Sequence, residues 1–329
     1  MKVKIAAAAG ILVLVLGGFL LLKPDSFENK AEKLREETVS YQMSGSMELT
    51  NSEDLKSYAI TSSWMKTDEG ECFKVEMTDK TLNQQQIILK NHEGVFVITP
   101  SLNQVFKFQG EWPTNSPKPY LLQTMLDLLE HEEVKCTNNS DGYLIEAPAV
   151  YPSATSLVMQ QVQFSKDMKP LYLRGYNADN VCELTMTFSQ VDYNIAFEED
   201  YFKQPVTSIH TAASNYLEEA DLPLYPMAVF DAKLVNSTVS NVDGGTEHVL
   251  EFSGDRAFTV VEKQLQSSDE LELIEINGEL IEALGSLYYY NGNKLTAIST
   301  QMEMSVYSDD LSVMEMLQVL QSMQVSIMK

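Results

Sequence analysis

The chain has 329 residues, 44% of them hydrophobic and 21% charged, with a formal net charge of −24. This composition is that of a globular protein and excludes a collagen-like or wholly disordered chain. So large an acidic excess repels phosphates, which excludes nucleic-acid binding by charge neutralisation and disfavours electrostatic docking on anionic lipid.

Lys2 and Lys4 precede residues 5–22, an uncharged and strongly apolar run. At about 1.5 Å per helical residue, that run spans roughly the hydrocarbon core of a bilayer. It reads either as a cleaved secretory signal or as a retained transmembrane anchor. Small residues belong just before a cleavage site, and this chain has bulky Phe19 to Leu22, then Lys23 and Pro24. The expectation is therefore a single-pass cell-membrane protein, with residues 1–4 cytoplasmic and the bulk of the chain extracytoplasmic. No cysteine lies near the run, so lipid attachment through a cysteine is excluded. Cys72, Cys136 and Cys182 match no zinc spacing and allow at most one bridge. A Cys136–Cys182 pair stays open beside three free thiols.

Ser26 is placed to cap a helix over Phe27 to Thr38, where Phe27, Ala31 and Leu34 share one face. Short strands follow over 39–49, 57–66, 72–77, 86–90, 95–99 and 104–109, with a hairpin turn at Asn91-His92-Glu93-Gly94. Three prolines between Glu111 and Pro119 make an irregular stretch. Tyr120 to Glu132 returns to helical period through Leu121, Leu122, Met125, Leu126, Leu128 and Leu129. Strands resume over 143–146, 156–165, 170–177 and 181–191. An antiparallel sheet this long has to bend, and the two amphipathic helices are the elements available to cover its concave face. A curved sheet closed by helices encloses an apolar cavity.

Residues 206–221 are polar and flanked by Pro205 and Pro223, which places a linker there. The expectation is a first domain over 26–205 and a smaller antiparallel α+β domain over 222–329. The second domain closes with a helix from Asp310 to Ser322.

No sequence motif selects catalytic chemistry. His92, His131, His210 and His248 fall in no metal-ligand pattern, and the chain has no nucleophile elbow, P-loop or dinucleotide-binding glycine motif. Glu130, Glu132 and Glu133 beside His131 read as the polar end of an amphipathic helix. The sixteen methionines suit either ordinary core filling or an adaptable apolar lining.

The block from Gln86 through Asn91-His92-Glu93-Gly94-Val95-Phe96-Val97-Ile98 and Phe106-Lys107-Phe108 to Trp112-Pro113 resembles the LolA-like superfamily of lipoprotein carriers. It is most similar to the Gram-positive branch of sporulation and germination lipoproteins. Tyr172 through Asp179-Asn180 to Phe188 looks like that fold's closing strands. The region around Phe252-Ser253-Gly254 and Phe258-Thr259-Val260-Val261 is similar to the C-terminal domain of RseB-type sensors.

The resemblance implies a half-barrel with a helical lid and a cavity for an acyl chain or a lipoprotein's lipid. It also implies a non-enzymatic role in envelope or spore assembly, without cofactor or metal. A second reading is an accessory module for an envelope enzyme such as a peptidoglycan amidase. Phe96, Ile98, Phe106, Phe108, Leu122, Met125 and Leu126 are the expected lining and lid. Lys74 stands nearest to the arginine with which the carriers tether their lid, although an ammonium does not reproduce a guanidinium's forked hydrogen bonds.

Overall fold

The fold is described from a computed structural model. It describes residues 26–50, 55–108, 112–113, 117–207, 222–242, 245–265, 268–298 and 302–325. The expected anchor at 5–22 and nearly all of the expected linker lie outside these residues. Among the described residues, no helix is long and apolar enough to cross a membrane.

The first helix, α1, spans Phe27–Glu37, and the Ser26 hydroxyl accepts from the Asn29 N–H at 3.4 Å, as the sequence pattern predicts. Six strands follow: β1 (Ser40–Thr50), β2 (Leu55–Thr67), β3 (Gly70–Asp79), β4 (Gln84–Asn91), β5 (Gly94–Thr99) and β6 (Gln104–Phe108). Next comes α2, Leu122–Asp127, which is six residues long and runs into a 3-10 turn at Leu128–Glu130. The expected helix was twice that length. Five more strands complete the first half: β7 (Lys135–Asn138), β8 (Gly142–Pro148), β9 (Leu157–Ser165), β10 (Pro170–Asn177) and β11 (Cys182–Tyr193).

The C-terminal half contains β12 (Leu224–Pro226), β13 (Lys233–Val242), β14 (Gly245–Ser253), β15 (Phe258–Gln264), β16 (Glu272–Ile276) and β17 (Glu279–Ala283). It continues with β18 (Ser286–Asn291), β19 (Lys294–Ile298), β20 (Met302–Tyr307), helix α3 (Val313–Gln321) and β21 (Met323–Val325). Ser312 and Glu315 close a reciprocal capping box at the start of α3.

Among the described residues, twelve strands form one sheet in the order β16-β6-β5-β4-β3-β2-β1-β11-β10-β9-β8-β7. Every pairing in it is antiparallel except β16 with β6, which is parallel and sets Leu273 opposite Val105. Thus a strand from the C-terminal half completes the edge of the N-terminal sheet. The second sheet has seven strands, β13-β14-β15-β20-β19-β18-β17, and β12 pairs with β21 separately.

The inner face of the large sheet, α1 and α2 share one core that includes Phe27, Tyr41, Met43, Met47, Val75, Leu122, Met125, Ile145 and Phe164. Leu280, Leu287 and Ile298 of the second sheet belong to the same core. At the turn between β17 and β18, Gly285 has φ +88°, and a Cβ there would meet the Tyr58 ring at 2.9 Å. The outer face of the large sheet is covered separately, by Phe197, Tyr201 and Phe202 packed on Leu89, Phe96, Ile98 and Val105. The three thiols are free, with Cys72 buried and Cys136 exposed.

Candidate functional site

A cavity of about 990 Å³ opens between α1, the ends of β1 to β3 and the segment carrying α2. Its floor is aromatic. Tyr41 and Trp64 stack with centroids 5.6 Å apart, and Phe73 lies opposite Trp64 in the β2–β3 register. Leu121, Leu122, Leu126 and Leu128 form the roof, and Pro113 and Pro117 stand in the wall. The lining also contains Arg35, Glu36, Lys66, Glu71, Asp127 and His131. Such a volume falls at the large end of small-molecule sites, and an apolar floor with polar groups around it suits an amphiphile.

Each wall has a local cause. Tyr41 and Trp64 face inward because they are paired across β1 and β2, and directly paired residues in an antiparallel sheet share a face. The Tyr41 phenol donates to Gln123 Oε1 at 2.6 Å and accepts from the Leu122 N–H at 3.4 Å, which pins the start of α2. Burial drives this phenol's pKa far above its ordinary value, so it stays a donor at neutral pH. Ser62 donates to the Tyr120 carbonyl at 2.7 Å, one residue before the roof begins. Trp64 Nε1 is buried without a hydrogen-bond partner, although its ring forms part of the floor.

The far end of the roof is held by charge. Arg35 in α1 donates from Nη2 to Asp127 Oδ1 and from Nη1 to Glu130 Oε1, each at 2.9 Å. Burial raises the pKa of the Asp127 carboxyl, and the guanidinium opposes that rise.

Of the residues expected at the site, Leu122 and Leu126 line the cavity. Met125 is fully buried in the core beside it. Phe106 and Phe108 share the inner face but pack against the core away from the cavity, with Phe108 6.3 Å from the Tyr289 ring of the second sheet. Phe96 and Ile98 lie on the outer face, because the β5–β6 register sends Val95, Val97, Phe106 and Phe108 inward. Lys74 is also outside the cavity. Its ammonium sits 3.0 Å from Glu76 and 4.4 Å from the centre of the Tyr201 ring. The groups that tether α2 are Arg35 and Tyr41, which sequence reasoning missed. Arg35 is one of only three arginines in the chain, and that scarcity was the available signal.

A second buried cluster adjoins the wall. The Glu282 carboxylate on β17 accepts from Trp112 Nε1 at 3.1 Å and, through a short contact, from the Tyr120 hydroxyl. Lys118 Nζ lies 3.5 Å away, and both charged side chains are only 2% exposed. Among the described residues, no group of three or more His, Cys, Asp or Glu side chains is arranged to hold a metal ion.

No family model matches the chain. The sporulation protein YdcC of Bacillus subtilis (strain 168) is 25% identical over 300 residues, covering 89% of this chain and 88% of that one. Among solved structures, the MucA/MucB complex of Pseudomonas aeruginosa includes a chain 11% identical, with 91% of this chain and 98% of that one covered, at a TM-score of 0.34. A chain in the structure of the CwlD amidase from Clostridioides difficile in complex with the GerS lipoprotein is 13% identical. There the match covers 54% of this chain and 98% of that one, at a TM-score of 0.20.

Proposed function

We propose that this protein is a LolA-like binding protein of the extracytoplasmic membrane surface, anchored through residues 5–22, that holds an acyl chain or the lipidated end of a partner. The carrying observation is the cavity of about 990 Å³ with its Tyr41–Trp64–Phe73 floor under a leucine-rich roof. Removing acyl-chain surface from water supplies affinity at roughly 25 cal/mol per Å², and the polar groups of the lining suit a headgroup or a peptide. The partial likeness to a sporulation protein supports a role in envelope or spore assembly. On this reading the protein acts by binding and not as an enzyme.

Native mass spectrometry of the full-length protein, extracted gently from its membrane, tests the proposal. The expected result is a folded protein with a bound lipid or lipopeptide mass that is lost on delipidation. A folded protein that is empty and takes up no fluorescent fatty acid would refute it.

A further inference from the structure

The Glu282 cluster lies outside the cavity, yet it touches the cavity wall and roof at several points. Its carboxylate receives hydrogen bonds from Trp112 and Tyr120 and faces Lys118. Pro113 and Pro117, beside Trp112 and Lys118, form wall, and Leu121, next to Tyr120, forms roof. A packed line also leads from this cluster across the floor. Trp112 meets Phe73 edge-on, with ring centres 5.8 Å apart and planes at 87°. Phe73 is paired with Trp64, Trp64 stacks on Tyr41, and Tyr41 binds Gln123 at the start of α2. All of these rings are at least nine-tenths buried. Close-packed interiors transmit displacement rather than absorbing it.

We propose that Glu282 is a positioning residue for the cavity: through Trp112, Tyr120 and Lys118, β17 of the C-terminal sheet sets the placement of the wall, floor and roof. The inference rests on the ligand-holding reading but is not tied to any one ligand. Glu282 stands on β17 of the second sheet, so the C-terminal half of the chain tunes what the N-terminal cavity accepts. A buried carboxylate held by two hydrogen-bond donors and an ion pair is costly unless its geometry is kept, which makes the link stiff.

The chain has two tryptophans, Trp64 on the floor and Trp112 against Glu282. Full-length protein labelled with 5-fluorotryptophan therefore gives two fluorine resonances, assigned with Trp112→Phe. The variants are Glu282→Gln and the charge-free pair Lys118→Met/Glu282→Gln, which removes both buried charges together in case the single variant fails to fold. The expected result, in a variant melting cooperatively, is a shifted or broadened Trp64 resonance. Cis-parinaric acid should also bind about fivefold more weakly or worse, the low end of typical site-to-site coupling. A folded double variant with a wild-type Trp64 resonance and wild-type probe affinity overturns the proposal. If wild type binds no probe, the ligand reading fails by itself, and the response of the Trp64 resonance still decides the role of Glu282.

Discussion

Arg35 and Asp127 join α1 to the far end of α2 through a 2.9 Å hydrogen bond, so the two elements that bound the cavity mouth are linked by one guanidinium. The pair is about half exposed, and exposed ion pairs contribute at most about 1 kcal/mol to global stability. Arg35→Gln is therefore expected to leave the urea midpoint nearly unchanged while accelerating amide exchange over residues 122–130. The Asp127 carboxyl, already raised by burial, should titrate at still higher pH once the guanidinium is gone. Hydrogen-exchange mass spectrometry and a carboxyl NMR titration read the two effects.

The Glu262 carboxyl in β15 is fully buried, and its Oε2 accepts from the Leu224 N–H at 3.0 Å. Burial pushes its pKa from the ordinary 4.5 up to about 7, against the Leu224 hydrogen bond that lowers it. Below pH 4.5 the folded and unfolded chains both hold the proton, and the full stability is present. As pH rises from about 4.5 to about 7, the unfolded chain gives up the proton that the folded chain keeps, so stability falls across that window and levels off above it. Glu262→Gln should remove that slope and be more stable than wild type at pH 8 by up to about 3 kcal/mol. Urea unfolding of both proteins at pH 4 and pH 8 checks the sign.

Phe96 is fully buried on the outer face of the sheet, behind Phe202 and away from the cavity. Phe96→Ala should cost about 3–5 kcal/mol and leave acyl-probe affinity unchanged. Leu122→Trp, which adds bulk to the roof, should reduce affinity with a much smaller stability loss. Comparing chemical denaturation with probe titration separates the two faces.

Gly45 sits at the register shift between β1 and β11, and a Cβ there would lie 2.0 Å from the Thr187 carbonyl oxygen. That atom is backbone and cannot swing aside. Gly45→Ala is expected to destabilise by about 1–3 kcal/mol and to loosen β1–β11 pairing, visible as faster amide exchange along both strands.

Where neighbours in sequence are also neighbours in space, the pattern of residues was readable. The Ser26 cap, the helix from Phe27 and the hairpin at Asn91–Gly94 all rest on local chemistry. β16 was missed because its partner, β6, lies 168 residues earlier in a parallel pairing with no hairpin turn to announce it. α2 proved shorter than its periodicity suggested: Leu121 is still extended backbone, and after Asp127 the chain tightens into the 3-10 turn at Leu128–Glu130. The inward phase of β5 was hidden because Val95 to Thr99 are all buried, one face by the core and the other by the Phe197–Phe202 segment. When both sides of a strand are dry, alternation disappears. Leu122 and Leu126, which line the cavity, share an apolar face that the helical period displays, whereas no strand pattern singles out Tyr41 or Trp64.

The parallel seam between β6 and β16 has a practical corollary. A fragment stopped near residue 205 would present the β6 backbone as a naked rim, with its amides and carbonyls free to zip onto a sibling fragment. The front half of this molecule borrows its hem from the back half, and a half-length product is expected to clump where the whole chain stays dispersed.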